Sequence, residues 1–485
     1  MKQLEKWQIV SLLSRGFATF VGLVQSFLII RILTVGEWGL IQLAGSIGAA
    51  LGIYQHLGLA AASTREISEV KEDQEIYKIV VTSVSIRYLV TVPLALVLFI
   101  FAQRLGAGLY KNQQLVLPLQ IYAVTLFFQG FQSIFNAVIS GTQRFKRLFL
   151  YQAFVAVLNL LIFLPFVYSL RVNGYYWAYL CFNILNTLFL FHLAFAPLKA
   201  AFVLPSKEEF MAMFKKIFSF SMAIYLVKIL ATNWEKLGSN LLGLYQNPEI
   251  IGFLAFALLY SKKILSISDA VTDVSLPVLS EKYTKDIDDF RASFTKNFDK
   301  VFLAIVLSSL VAGFWAPQII QLLVGNKYVS AYPLIPITLF GFVTYSFLDI
   351  LKSSVFVPAK LVKEMISSFF ILVFVTLAVF FGLYKTLSPL FSVSISLAAG
   401  AGVGFAYSCF VVKKKLVLEF FRVTHTAVLM QVFVVIGFGV YFAFPPKILL
   451  FVLLTIPLIV TLFLFKFINK STVSRLLLRY VVKRG

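Results

Sequence analysis

Arg15, Thr19, Gly22 and Ser26 share one face of a helix, because their spacing of four, three and four residues follows the helical repeat. The segment around them, SLLSRGFATFVGLVQSFLIIRIL, is apolar enough to cross a bilayer, where a central arginine costs roughly 2.5 kcal/mol or more. The same spacing recurs as Lys228, Thr232, Glu235 and Ser239 and as Lys262, Ser266, Asp269 and Asp273. Gln129, Gln132, Asn136 and Ser140 form a further polar stripe at a similar period. Lipid satisfies none of their hydrogen bonds, so each stripe faces a neighbouring helix or a hydrated cavity. Uncharged stripes serve as glue between helices. Charges ask for more: Arg15, Arg31, Arg87, Lys228, Lys236, Lys262, Lys263 and Lys352 stand against Glu235, Asp269, Asp273 and Asp349. Arg31, Arg87 and Lys236 lie near enough to span ends to snorkel, while Lys262 with Asp269, or Asp349 with Lys352, can pair locally. The remaining cationic excess is strongest in the first half, which buries no acid. A guanidinium fork suits phosphate oxygens, so the expected chemistry is capture of a phosphorylated or otherwise acidic cargo in a water-accessible cleft.

Holding such side chains requires a membrane scaffold. The 485-residue chain is 60% hydrophobic and 13% charged, a composition that a water-soluble domain of this size does not carry. Apolar stretches of about 20 residues lie near 8–33, 39–62, 80–102, 115–140, 149–170, 175–196, 217–243, 249–280, 298–324, 331–357, 361–383, 387–411, 423–443 and 447–468. They predict an all-α integral membrane protein of about fourteen transmembrane helices. The first is too long for a cleavable signal peptide and is read as a span. A net charge of +22 raises nucleic acid as a partner, but the placement of the charge excludes it. With a cytoplasmic N-terminus the outer loops hold only Arg104, Lys111, Arg171, Lys327, Lys385 and Lys447. Arg144, Lys146, Arg147, Lys215, Lys216, Lys413, Lys414, Lys415 and the tail residues Arg475, Arg479, Lys483 and Arg484 fall inside. The positive-inside rule then puts both termini in the cytoplasm. Cys181 and Cys409 sit in apolar runs and support no disulfide framework, and with three histidines they leave no metal cluster to assemble.

An internal repeat organises the spans. The offset that lays Arg15 on Lys228 also lays Thr19 on Thr232, Ser26 on Ser239, His56 on Asp269 and Asn136 on Asp349, and it brings Glu37/Gly39 to Glu249/Gly252 after a one-residue slip. An even number of helices separates equivalent points, so the halves run in the same direction about an axis along the membrane normal. The expected organisation is a six-helix lobe at 1–196, a cytoplasmic interfacial linker at 197–216, a second six-helix lobe at 217–411 around a central cavity, helices 13 and 14 at 412–470, and a basic cytoplasmic tail at 471–485. In the linker, SKEEF from Ser206 reads as a capping box closed by Glu209, with Phe210, Met213, Phe214 and Ile217 on one face, and is expected to tie the halves together. Helices 13 and 14 carry almost no polar atoms and either complete the lipid-facing surface or line a groove for a hydrocarbon chain. GAGVG from Gly400 sits mid-helix and reads as GxxxG packing rather than a nucleotide loop.

The stretch FLIIRILTVGEWGLIQLAGSIGAALGIYQHLGLAAASTREIS, Phe27 to Ser68, resembles the opening helices of polysaccharide-export flippases of the multidrug/oligosaccharidyl-lipid/polysaccharide superfamily. The resemblance rests on Arg31, Glu37 with Gly39, Leu57 with Gly58, and Thr64 with Arg65. GTQRFKR from Gly141 and NWEKLGSNLLGLYQNPEIIGFLAFA from Asn233 are similar to later junctions, with Glu235 where the family usually has Asp, and the likeness extends over roughly residues 5–420. It implies an O-antigen-type flippase, not an enzyme, moving undecaprenyl-pyrophosphate-linked oligosaccharide outward across the bacterial inner membrane by alternating access. Arg15 would engage the pyrophosphate, with Lys228, Lys262, Arg87 and Arg31 as further cations. Glu235, Asp269, Asp273, Asp349, Lys352, His56, Asn136 and Gln132 would line the cavity, contact sugars or couple to H+ or Na+. No other cofactor is implied. Thr64 and Arg65 would anchor helix 2 at the cytoplasmic interface. Membrane lipids are partners by necessity, and other polysaccharide-assembly proteins fit the same role. The alternatives are a cation-coupled multidrug exporter, a lipid II or teichoic-acid-precursor flippase, and a polytopic glycosyltransferase, whose acid-rich catalytic loop or large outer domain the chain lacks.

Overall fold

The structure is a computed structural model and describes residues 2–70, 72–142, 144–198, 202–268, 279, 281–283, 285–441 and 447–464. Among them there is no strand. The helices are α1 (Lys2–Ile32), α2 (Val35–Gly52), α3 (Leu59–Glu69), α4 (Asp73–Gln103), α5 (Val116–Gly141), α6 (Phe145–Phe195), α7 (Lys207–Tyr245), α8 (Pro248–Lys262), α9 (Ile287–Phe314), α10 (Ala316–Val324), α11 (Ile335–Leu351), α12 (Val362–Leu383), α13 (Pro389–Leu416), α14 (Val423–Tyr441) and α15 (Lys447–Leu464). Nine described stretches are long and apolar enough to cross a membrane, and Gly16–Ile32 and Lys447–Leu462 are shorter apolar helices. The chain is an all-α membrane protein, and every apolar stretch read from the sequence meets a helix.

Two expected spans, 149–170 and 175–196, are the limbs of α6. The chain reverses at Arg171, whose φ of 55° and ψ of −126° leave the helical region. A Cβ on Gly174 would lie 1.9 Å from the Phe166 carbonyl oxygen, so only glycine permits the approach there. The limbs then run side by side: the Tyr151 hydroxyl donates to Asn186 at 2.7 Å and Phe163 meets Tyr175 edge-on. The second expected span is likewise divided, into α2, a short turn at Ile53–Gln55, and α3.

By its internal contacts the chain forms two units, Met1–Ala255 with Leu323–Lys327, and Phe256–Leu322 with Tyr328–Gly485. In the first, Ile76, Ile79, Ile134, Val138 and Leu190 form the buried core. The Ser206 capping box is present, with its hydroxyl accepting from Glu209 N at 3.2 Å and Glu209 Oε2 accepting from Ser206 N at 2.7 Å. Phe210, Met213 and Phe214 pack on this core, and Lys78 donates to Glu209 at 2.8 Å. That hydrogen bond holds the Glu209 carboxyl below the usual carboxylate range. The linker therefore docks on the first unit and continues without interruption into α7, because nothing between Ser206 and Tyr245 breaks the helix.

Gly39 of α2 and Gly252 of α8, equivalent in the sequence repeat, meet each other. A Cβ on Gly39 would come 1.7 Å from the Pro248 carbonyl oxygen, and one on Gly252 would come 2.2 Å from that of Val35. In the second unit, the rings of Phe298, Phe302 and Phe347 pack together between α9 and α11. Gly400 and Gly404 of α13 lie against Leu372, Thr376 and Ser368 of α12, the packing role their spacing suggests.

Candidate functional site

The first unit carries a buried cation. Arg87, on α4, is 0% exposed. The sequence allowed it to snorkel, but the structure turns it inward, because polar groups are waiting there. Its Nη1 donates to the Ser133 hydroxyl of α5, and Nη2 lies 3.2 Å from His56 Nδ1. Among the described residues it makes these two contacts and no ion pair with a carboxylate. Arg87 Nε and Gln55 Nε2 are buried and find no hydrogen-bond partner among the described residues.

His56 is available because helix 2 breaks beside it. Leu57 (φ 45°) and Gly58 (φ 68°) are both left-handed, and Gly58 caps α3 in a conformation that glycine adopts without steric cost. The break frees carbonyls, and Tyr225 of α7 fills the need: its hydroxyl lies 2.7 Å from the Tyr54 oxygen and 3.3 Å from that of Ile53. Gln55 Oε1 accepts from Thr91, one turn beyond Arg87, at 3.1 Å. Lys228 is exposed on α7, near enough for its charge to act on His56. The structure thus brings together Arg87, His56 and the field of Lys228. Gln55, Ser133 and Tyr225 complete the group and were not read from the sequence; the available signal was the polar Gln55–His56 pair inside an apolar stretch, just before Leu57–Gly58.

Other expected site residues lie apart. Arg15 lies in α1, and its side chain is outside the described residues. Farther along the same stripe Thr19 is exposed, and a Cβ on Gly22 would meet no described atom within 4 Å. Arg31 is exposed in the last turn of α1, and its carbonyl accepts from Lys327 Nζ at 2.7 Å. The α5 stripe is consumed by α6: Gln129 donates to Tyr179 at 2.6 Å, Gln132 to Asn183 Oδ1 at 3.1 Å and Thr187 at 3.0 Å, and Asn136 lies against the Tyr151 hydroxyl. This stripe is glue within one unit, a role that spacing alone does not separate from cavity lining. Glu235 pairs with Lys236 at 3.0 Å. In the second unit Asp349 holds Lys352, the pairing their spacing allowed, and Lys352 Nζ stands 5.9 Å from the Phe369 ring centroid. Lys262 closes α8, partly buried. Asp269 and Asp273 lie outside the described residues.

At the far end of α1, the acid of the sequence motif has a mechanical task. Glu37 closes a capping box with Thr34 and takes a bidentate grip from Arg171, Nε at 2.9 Å and Nη2 at 2.7 Å. Arg171 Nη1 also donates to the Ile32 carbonyl at 2.8 Å. Burial pushes the Glu37 carboxyl up, but the Arg171 and Thr34 hydrogen bonds outweigh it and hold the group below the usual carboxylate range. Arg65, at the C-terminal end of the motif, pairs with Glu69 at 3.2 Å on the surface.

Comparison with known proteins places the scaffold. The sequence profile of a family described as polysaccharide biosynthesis protein matches residues 28–333. No curated protein matches the sequence. Among solved structures, the lipid II flippase MurJ in an inward closed conformation is similar with a TM-score of 0.70 at 14% identity, over 93% of this chain and 98% of that one. An inward-facing multidrug resistance MATE family transporter of the MOP superfamily follows at 0.61 and 15% identity, over 84% and 98%. The MATE multidrug transporter DinF-BH, solved as a complex, gives 0.58 at 15% identity, over 87% and 97%. At these identities the likeness establishes the fold.

Proposed function

Since the chain belongs to the polysaccharide biosynthesis protein family, we propose that it is a flippase that carries an undecaprenyl-pyrophosphate-linked glycan from the cytoplasmic to the periplasmic leaflet of a bacterial inner membrane. Both termini are cytoplasmic in this reading, and two repeat-related lobes alternate access to the cargo. The observation that supports an anionic headgroup best is Arg87, a fully buried guanidinium held, among the described residues, by a hydroxyl and an imidazole rather than by a carboxylate. Its charge is left standing in a medium of low dielectric, where it raises the local potential for anions. Being buried, Arg87 positions and attracts; the exposed Lys228, together with Arg15 on α1, makes the phosphate contacts. Lys262 and Arg31 assist along the route. Glu235, Asp269, Asp273 and Asp349 are the carboxylates through which H+ or Na+ coupling would act.

The test is a proteoliposome assay that follows a labelled undecaprenyl-pyrophosphate oligosaccharide across the bilayer beside a cationic dye. The expected result is glycolipid movement without dye movement. Dye movement without glycolipid movement would replace this reading with a drug exporter.

A further inference from the structure

A second cationic site lies within the second unit, and none of its lining residues belongs to the proposed cargo set. A cleft of about 480 Å³ opens between the first turns of α9 and the connection from α13 to α14, lined by Arg291, Thr295, Lys296, Asp299, Glu419 and Arg422. Both of its acids are engaged. Glu419 pairs with Lys413 at 2.7 Å, and Asp299 Oδ1 lies 3.0 Å from Nε2 of His425, a residue 1% exposed. The tautomer follows from geometry: the Arg422 backbone N–H donates to His425 Nδ1 at 3.1 Å, so the ring proton sits on Nε2 and points at Asp299. Arg291 is fixed, with Nε on the Leu416 carbonyl at 2.8 Å and Nη1 on Asp288 at 2.7 Å. Lys296 and Arg422 are exposed and make no ion pair among the described residues. The cleft therefore presents one anchored and two adaptable cations against Glu419, which Lys413 neutralises, and Asp299, which the neutral His425 orients without cancelling its charge.

Its rim is apolar. Val417 is 72% exposed with φ of 50°, and Val423 is 85% exposed where the apolar run of α14 begins. A β-branched residue in the left-handed region is strained, and such strain concentrates where a ligand is held. Rings of Phe298, Phe302 and Phe421 surround His425 and tie α14 to α9. We propose that this cleft binds the phosphate headgroup of an anionic phospholipid, with Lys296 and Arg422 on the phosphate and the acyl chains leaving over Val417 and Val423. In the orientation proposed above it faces the cytoplasmic leaflet, where basic pockets between helices select anionic lipid. Binding is read without transport, so failure here and failure of the flippase assignment are separate results.

The experiment uses the full chain purified in detergent, with thermal unfolding followed as dioleoylphosphatidylglycerol or dioleoylphosphatidylcholine is added. The glycerol lipid should raise the unfolding temperature and the choline lipid should not. Lys296→Gln with Arg422→Gln should weaken that response about thirtyfold in lipid concentration, roughly fivefold for each cation. Lys414→Gln, outside the cleft lining, should leave it intact. Equal stabilisation by the two lipids, or an unchanged preference in the double variant, overturns the site. Glycerol 3-phosphate stabilising as well as the lipid reassigns it to a soluble phosphate. Should the double variant not fold, a photoreactive phosphatidylglycerol on the unaltered protein must label residues 417–422; labelling confined elsewhere also overturns the site.

Discussion

Arg87 in the first unit and Lys352 in the second are both basic side chains in apolar helices, yet the protein treats them oppositely. Lys352 has Asp349 one turn away and a ring beside it, so its charge is cancelled where it stands. Arg87 has a hydroxyl on Nη1 and an imidazole on Nη2, which hold the group without cancelling its charge. The comparison teaches that burial of a cation and its neutralisation are separate design decisions. A paired charge contributes a local structural contact, whereas an unneutralised one also projects a field, and in the function proposed above that difference makes the first unit the place for an anion to be drawn.

The contrast breaks if the first unit's cations are dispensable. Arg15→Ala should abolish glycolipid movement in proteoliposomes, and Lys228→Ala should slow it by about tenfold to a hundredfold, the worth of a charge-assisted hydrogen bond. Insertion and abundance should be unchanged in both, and near-normal transport by Arg15→Ala removes that residue from the mechanism. A smaller effect, on stability, separates the two kinds of burial. Arg87→Ala strips partners from Ser133 and His56 and opens a cavity, and should cost about 3 kcal/mol in thermal or denaturant unfolding. Asp349→Asn leaves Lys352 without its counter-charge and should cost about 1–2 kcal/mol, most of which returns when Lys352→Gln is added. If the double variant is no better than the single, the pair is not the self-contained unit described here.

The smallest effect is a control on the first unit. Glu37→Gln weakens the Arg171 clamp and should cost about 1 kcal/mol, since both partners are partly exposed, with no change in cargo preference. The folded carboxyl titrates below its unfolded counterpart. Its contribution is therefore complete at neutral pH and is lost as pH falls through the lowered folded value. The stability gap between wild type and variant should be flat from about pH 6 to 8 and close in acid; a gap that widens in acid contradicts the assignment.

Much of this was legible in the residues. The capping box at Ser206, the pairing of Asp349 with Lys352 and the helical packing of Gly400 with Gly404 depend on near neighbours in the chain, and spacing encodes them directly. Gln132 was legible only as polar, because cavity lining and helix glue share one period, and its partners Asn183 and Thr187 lie in another helix. Arg87 looked able to snorkel because depth was judged along one helix. The groups that hold it come from the break after Gln55 and from Ser133, which no linear window brings together. The resemblance motif marked Glu37 without revealing its hold on Arg171, a residue that reading had placed merely in an outer loop.

By itself the amino-acid order determined an all-helical membrane protein and the positions of its apolar helices, since hydropathy and helical period are sums over neighbouring residues. Which cations are neutralised and which keep their charge was decided only by tertiary structure. An electrostatic partner is chosen by proximity in space, and in this molecule that proximity is created by a broken helix 2, a reversal at Arg171 and the meeting of Gly39 with Gly252.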